Sequence, residues 1–325
     1  MFLKDKEVFL AGATGLAGTS IMTHILENCP KTRIRASCFR SEPFITHDRV
    51  TYVRGDLTSR DDCRRMVRGC NAAIMAAATT GGARASVSVP WEQVSDNVTM
   101  DVQLLHALHL EQVPRVMFVS TASVYQDFTG PIREEDLDLN CDPHPAYLGV
   151  GWSKRFVEKL CRFWYEKAGM AVVIARSANI YGPFAKFDPA VSHFVAALIR
   201  KAADRMDPFE VWGDPRVVRD IIYGEDFARA VVLMLDRDDL TFDVFNVGSG
   251  VQTSVGDVAA WALKNADHRP KEIRYRGDGP TTISYRALDC SRIKEKLGWE
   301  PRHSPKEGVR RTAQWWIQNR DWWKR

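Results

Sequence analysis

The residues whose types and spacing speak most directly of chemistry are Gly12, Gly15 and Gly18. They are spaced by three and follow the apolar run Val8-Phe9-Leu10-Ala11. Such a run suits a buried parallel strand, and the segment after it places Ile21, Met22, Ile25 and Leu26 on one helical side. Strand, glycine turn and helix together form the entrance of a dinucleotide-binding βαβ unit. Gly12 can adopt the angles of the tight turn, Gly15 lets the main chain touch a pyrophosphate, and Gly18 lets the helix pack close to the strand. The start of that helix offers free N–H groups and a positive dipole end to the phosphates.

Other positions speak to the rest of such a cofactor. A fold of this kind that prefers NAD usually carries an acid about twenty residues beyond the last glycine, to hold the ribose 2′-hydroxyl. Here that region holds Ser37 and Cys38, with Arg40 following. A missing carboxylate removes repulsion against a 2′-phosphate, and Arg40 could pair with one. NADP is therefore favoured over NAD. Asp56 and Leu57 end a third short strand and could meet the adenine. Ala76, Ala77 and Ala78 close a fourth strand, where small side chains suit a backbone lying against a flat cofactor. Gly81 and Gly82 follow at its carboxyl end, where ligands sit in open α/β sheets.

The elements that must position these residues alternate as strand and helix. Strands are expected at 33–39, 50–53, 72–78 and 116–119, with helices at 59–69 and 91–111. Val94, Val98, Leu104, Leu105 and Leu108 form the apolar stripe of the second of these helices. The expected fold is α/β, a doubly wound parallel sheet of Rossmann type with a smaller C-terminal substrate-binding lobe. The dinucleotide-binding domain spans residues 1–180, with 220–250 returning to it, and the lobe takes most of 181–325. The Trp315-Trp316 and Trp322-Trp323 pairs are expected on an amphipathic last helix packing on that lobe, with a sugar-stacking platform as the alternative.

Composition narrows the class. The chain has 325 residues, 45% of them hydrophobic, with 45 Lys plus Arg against 41 Asp plus Glu. An excess of +4 is too small to imply nucleic acid, and no apolar stretch approaches membrane-spanning length. Seven cysteines (29, 38, 63, 70, 141, 161, 290) show no metal-ligand spacing and read as reduced thiols. With the first strand beginning so early, no signal peptide is expected, and the protein reads as cytoplasmic, with no metal and neither nucleic-acid nor membrane partner.

Phe118-Val119-Ser120-Thr121-Ala122-Ser123-Val124-Tyr125 and Gly151-Trp152-Ser153-Lys154-Arg155 resemble the two active-site segments of the extended short-chain dehydrogenase/reductases. Ala178-Asn179-Ile180-Tyr181-Gly182-Pro183, Val211-Trp212-Gly213 with Arg219-Asp220, Phe245-Asn246-Val247-Gly248 and Leu297-Gly298-Trp299-Glu300-Pro301 continue the likeness in family order. Phe187-Asp188-Pro189 with Ser192-His193, and Ala77-Ala78-Thr79-Thr80-Gly81-Gly82, are most similar to the GDP-L-fucose synthase-like branch. The resemblance implies a nicotinamide cofactor held by Gly12, Thr14, Gly15, Leu16, Gly18, Arg40, Asp56, Leu57, Ala76, Ala77, Ala78 and Lys154. It implies a nucleotide-diphosphate sugar, with GDP the first choice, as substrate. A homodimer formed by the helices at about 91–111 and 152–168 in a four-helix bundle is implied as well.

In that family a Tyr, ionised by a Lys four residues later, takes the sugar hydroxyl proton, and a Ser or Thr holds the same oxygen. An unperturbed Tyr titrates near 10, so the ammonium is needed to stabilise its phenolate. Thr121 matches the hydroxyl residue and Lys154 the lysine, but the Tyr position is Val150. Tyr147 lies seven residues before Lys154, about 10 Å along a helix, and reaches inward only if the chain before Val150 is a loop.

The usual relay is therefore broken, and three readings stand. Another group serves as acid/base: Tyr125, Tyr147, Lys154, His193 or a water beside Val150. Alternatively the chain keeps only the epimerase half of the chemistry, or it is a silent cofactor-binding regulatory subunit. His193 matches the branch's acid/base histidine, while Ser123 occupies its cysteine position and is expected to hydrogen-bond substrate. The resemblance assigns Arg219 to the diphosphate, with Lys201 and Arg286 as further candidates, and adds Gly82, Asn179 and Trp212 to the substrate pocket.

Overall fold

Short apolar runs alternate with amphipathic helices through the first half of the chain. In the computed structural model, which describes residues 2–80, 90–277, 283–321 and 323, they become β1 (Glu7–Ala11), α1 (Leu16–Asn28), β2 (Arg33–Cys38), β3 (Val50–Arg54), α2 (Arg60–Val67) and β4 (Ala72–Met75). After these come α3 (Pro90–Leu110), β5 (Arg115–Thr121), α4 (Leu148–Ala168) and β6 (Ala171–Ser177). The second half is more broken. Its elements are β7 (Asn179–Tyr181), α5 (Phe194–Ala203), β8 (Phe209–Trp212), β9 (Val218–Arg219), β10 (Ile221–Tyr223), α6 (Gly224–Asp236) and β11 (Phe242–Val247). They end with β12 (Thr253–Ser254), α7 (Val255–Asn265), β13 (Ile273–Arg276), β14 (Tyr285–Arg286), α8 (Ser291–Leu297) and α9 (Pro305–Asn319).

Seven strands form one parallel sheet in the order β3-β2-β1-β4-β5-β6-β11. Helices cover both faces, which is why β1, β4 and β5 read as unbroken apolar runs and do not alternate. Ile21, Met22 and Ile25 of α1 share one core with Phe227 and Val231 of α6. On the opposite face Met66 of α2, Leu105 and Leu108 of α3, and Val157 of α4 form the other. This is the doubly wound fold expected from the sequence. The strand order reverses between β1 and β4, and the crevice at their carboxyl ends is where such sheets take ligands.

A third core lies beyond β6. Leu198 and Ile199 of α5, Val258 and Ala262 of α7, and Val309 and Ala313 of α9 surround Phe187 and Phe209. Trp316 stacks on Phe187 with ring centroids 4.1 Å apart, and Trp323 donates its indole N–H to the Ala185 carbonyl at 2.7 Å. Trp315, Trp316 and Trp323 are thus packing residues of this lobe; Trp322 lies outside the described residues. The chain crosses between the cores more often than expected. Leu288, Ile293 of α8 and Trp299, placed by sequence in the second lobe, pack on the first core.

One buried polar network ties β5, α4, β6 and β11 together. Arg176 reaches both oxygens of Glu158 at 2.8–3.2 Å, and Ser120 donates to Glu158 at 2.6 Å. Arg176 also donates to the Tyr125 hydroxyl at 2.9 Å, which in turn donates to the side-chain oxygen of Asn246 at 2.7 Å. Arg176→Met leaves Glu158 charged and unpaired in the interior and should cost about 3–5 kcal/mol of unfolding free energy in a urea titration. A loss below 1 kcal/mol would show that the network is dispensable.

Candidate functional site

The glycine turn is built by close approach. Gly12 has φ of +79°, and a Cβ there would lie 2.7 Å from the Ala76 carbonyl oxygen and from the Ala77 backbone. A Cβ on Gly18 would run into the Gly12 and Ala13 backbone, so only glycine lets α1 start this near to β1. At Gly15 the situation differs: a Cβ would meet only the Gly12 carbonyl oxygen, at 3.4 Å. Gly15 is also the N-cap of α1, with no side-chain cap and no acid in the first turn. The Gly15 amide closes the turn by donating to the Gly12 carbonyl at 3.0 Å, and the amides of the first helical residues after it point out of the helix start with a positive dipole behind them. A pyrophosphate fits this cradle. Thr14 and Leu16 flank it, half-buried, and Leu16 packs against the second lobe's core.

The other cofactor positions stand around the same edge. Ala76 and Ala77 are half-buried and Ala78 exposed at the end of β4. Ser37 is buried at the end of β2 and accepts from the Gly12 amide at 3.0 Å, so that strand end presents a hydroxyl and not a carboxylate beside the glycine turn. Arg40 is exposed, its guanidinium 5.0 Å from the Phe39 ring centroid. Asp56 turns one carboxylate oxygen back to the Thr58 amide and hydroxyl at 2.9 and 2.8 Å, while Leu57 is buried beneath. Gly81 and Gly82 lie outside the described residues.

The second group gathers where β5 ends. Thr121 accepts from the Ser123 amide at 3.2 Å and shares a 3.3 Å contact with the Ser123 hydroxyl. A Cβ on Gly151 would sit 2.6 Å from the Ser123 carbonyl oxygen, so the first turns of α4 lie directly on this bend. Helix α4 begins at Leu148, four residues earlier than the sequence implied, and Val150 and Lys154 therefore share a helical face. Tyr147 is outside the helix as its N-cap and reaches Arg219, its hydroxyl bonded to that guanidinium.

Tyr125 proves to be a core residue. Fully buried and committed to Arg176 and Asn246, its phenol has a pKa pushed far up by burial. It is removed from the acid/base candidates. Lys154 meets a partner that sequence reasoning missed: its ammonium lies 2.9 Å from Asp101 of α3 and 4.5 Å from the Phe118 ring centroid. Lys154 is 9% and Asp101 5% exposed. Asp101 was legible in principle. It interrupts the Val94, Val98, Leu105, Leu108 stripe with an acid, and an acid on a buried stripe needs a counter-charge.

Two arginines form the third group. The parallel pairing of β9 with β14 sets Arg219 beside Arg286, 7% and 6% exposed. Arg286 donates to the carbonyls of Ala122 and Tyr125, on the same bend as Thr121 and Ser123. Its Nε and second terminal nitrogen have no hydrogen-bond partner among the described residues. Burial, and the Arg219 charge against it, bring the Arg286 pKa down to about 10. Two adjacent buried guanidiniums suit an anion with several oxygens.

The remaining candidates fall elsewhere on the second lobe. Asn179 is exposed at the start of β7. Lys201 is apart from the arginine pair: it donates to the Glu210 carbonyl at 2.8 Å and lies 5.5 Å from the ring centroid of Trp212, which is 47% exposed. His193 is the N-cap of α5, open to solvent yet crowded by protein. That crowding, and next the charge of Lys186, lowers its pKa. Lys186, also unforeseen, donates to the Thr80 carbonyl at 3.1 Å, bringing the loop after β4 to His193's neighbourhood. A neutral imidazole at physiological pH is a proton acceptor.

Residues 8–248 match the family described as NAD dependent epimerase/dehydratase. A probable GDP-L-fucose synthase 1 from Oryza sativa subsp. japonica is 27% identical over 98% of this chain and 94% of its own length. A GDP-mannose 3,5-epimerase 1 from the same plant is 29% identical over 95% of this chain and 81% of its own. A dTDP-glucose 4,6-dehydratase from Streptomyces venezuelae, solved with NAD and TYD bound, has a TM-score of 0.86 at 22% identity. That match covers 98% of this chain and 99% of the other.

The glycine geometry separates binding from folding. Gly15→Val should keep the melting temperature within a few degrees and weaken NADP(H) and NAD(H) binding at least tenfold by calorimetry. Unchanged affinity for both would remove the phosphates from this cradle.

Proposed function

The chain belongs to the NAD dependent epimerase/dehydratase family, and from that premise we propose that it epimerises or reduces a GDP-linked sugar, with His193 moving the proton. It is an NAD(P)-dependent sugar-nucleotide enzyme, and the GDP-sugar names of relatives at 27–29% identity support guanine over other bases. The observation that carries the substrate side is the buried pair Arg219 and Arg286, a ready partner for a sugar's diphosphate. Trp212, with Lys201 behind it, offers the nucleotide base an exposed ring. The sugar then extends toward the bend that Arg286 itself touches, where Thr121 and Ser123 present hydroxyls to its oxygens.

Gly12, Gly15 and Gly18 would hold the dinucleotide, with Thr14, Leu16, Ala76, Ala77 and Lys154 along it. When bound, the nicotinamide supplies reversible removal and return of hydride at the sugar. The absence of a carboxylate at Ser37 and the nearness of Arg40 support NADP over NAD. With valine at position 150, Thr121 can orient a sugar oxygen but no phenol is there to take its proton. His193, uncharged because crowding and Lys186 disfavour its protonated form, takes a proton from a carbon next to a carbonyl; a water on the opposite face then gives that carbon its new proton, and the proton on His193 passes to solvent to neutralise the hydroxide left behind. Ser123, with a pKa far above that of a thiol, is a hydrogen-bond donor here and not a second base.

Incubation with GDP-4-keto-6-deoxymannose in D2O should incorporate deuterium at one carbon by mass spectrometry. His193→Gln should slow that uptake by about 10²–10⁴-fold with cofactor affinity unchanged. Because the neutral form is the active one, the wild-type rate should hold as pH falls to the ordinary histidine value of about 6.5 and drop only below it. Uptake indifferent to His193→Gln, or no uptake with cofactor bound, would overturn this reading.

We also propose a homodimer. Leu148, Trp152 and Phe156 are spaced by one turn on α4 and are 46%, 39% and 50% exposed, an apolar stripe that a second copy would cover. Phe156→Lys should shift the sedimentation coefficient from dimer to monomer; a monomeric wild type would contradict the proposal.

A further inference from the structure

Lys154 is a buried cation, and in this protein its charge is already balanced. Its ammonium lies 2.9 Å from Asp101, which reaches across from α3. Among the described residues, the other groups facing it bring no unpaired charge. From β5 comes the Phe118 ring. On its own helix, Glu158 is held by Arg176 and Ser120, and the buried Cys161 thiol has a pKa raised first by its burial. One turn before Lys154 stands Val150, an alkyl group where a phenol would share the charge.

These two facts fit each other. An ammonium lowers a phenol's pKa only to the extent that its charge is unbalanced, because a carboxylate at 2.9 Å cancels most of its field at the next turn. Conversely, without a phenolate or another anion the buried ammonium would stand alone, which costs several kcal/mol. Asp101 supplies that anion from a position whose neighbours on the stripe are Val98 and Leu105; burial raises its carboxyl pKa, and the charge and hydrogen bond of Lys154 work against that rise. Four residues earlier on the same face, Asn97 accepts from the Thr79 amide at 2.7 Å and donates to its carbonyl at 3.1 Å, so this part of α3 also fixes the end of the loop after β4.

We propose that Asp101 is a positioning residue that takes the place of the missing tyrosine as the electrostatic partner of Lys154. The corner formed by Thr121, Val150 and Lys154 is thereby set to hold the cofactor and a sugar oxygen, and not to take a hydroxyl proton. The inference deepens the functional reading and rests on it only for Lys154's place beside the cofactor. Restoring a tyrosine alone does not restore the relay; the acid must go as well.

The test is a spectrophotometric titration of the tyrosinate band in holoprotein, each variant read against its parent without the added phenol. In Val150→Tyr the introduced phenol should ionise near the ordinary tyrosine value of about 10. In Val150→Tyr/Asp101→Asn it should ionise at least one pH unit lower. Equal titrations in the two variants, or the lower one in Val150→Tyr alone, would overturn the proposal. Should Asp101→Asn fail to fold, urea unfolding of Lys154→Met, Asp101→Leu and the double variant decides instead. Each single variant should unfold at lower urea than the double, and simply additive losses would overturn the pairing. Neither readout involves His193, so these results and the deuterium experiment fail separately.

Discussion

A positive charge taken out of water must find a counter-charge or a ligand, and the middle of this molecule is arranged around that demand. Arg176 meets Glu158, and Lys154 meets Asp101, each pair with both members under a tenth exposed. Those cations hold the molecule together. Arg286 differs: two of its nitrogens are buried with no hydrogen-bond partner among the described residues, Asp127 attracts it without a hydrogen bond to it, and the residue paired with it across β9 and β14 is another arginine. The same constraint that makes the first two cations structural leaves Arg286 with buried donors that an anion could satisfy.

The sheet sets where that anion must end. Because the strand order reverses between β1 and β4, the ends of these strands open together, and the Gly12 turn touches Ala76 and Ala77 there. The bend after β5 continues the same edge through Thr121 and Ser123, and Arg286 reaches it from the second lobe. Strand order thus sets the glycine turn and the hydroxyl pair on one edge, and Arg286, from the separate β12-β9-β14 sheet, is brought to that edge by its bonds to the Ala122 and Tyr125 carbonyls. Lys154 lies beside Asp101 with Val150 one turn before it, and separately crowding by the protein and the Lys186 charge lower the pKa of His193.

Local features were the ones legible in the sequence. The glycine turn was readable because its spacing directly after an apolar run is local, even though the backbone that Gly12 must clear, at Ala76 and Ala77, is distant in sequence, and the buried strands because parallel strands must be apolar throughout. The lone-pair geometry of Tyr125 was not readable: its partners, Arg176 and Asn246, are 51 and 121 residues away. Sequence spacing set Tyr125 close to Thr121 and Ser123, yet the turn after β5 directs it into the core and them to the edge. Asp101 was hidden for a related reason. An acid within an apolar stripe signals a buried counter-charge, but only the packing of α3 on α4 says that the counter-charge is Lys154. The second lobe was drawn too simply, since α8 and Trp299 return to the first core on contacts of long sequence separation.

The most direct measurement is a crystal structure with NADP+ and a GDP-sugar bound together. The expected density has the dinucleotide's pyrophosphate on the amides at Leu16 and Ala17, and the sugar's diphosphate between Arg219 and Arg286, with Lys154 still on Asp101. A sugar diphosphate seated away from both arginines, or a dinucleotide whose phosphates avoid the start of α1, would contradict the account.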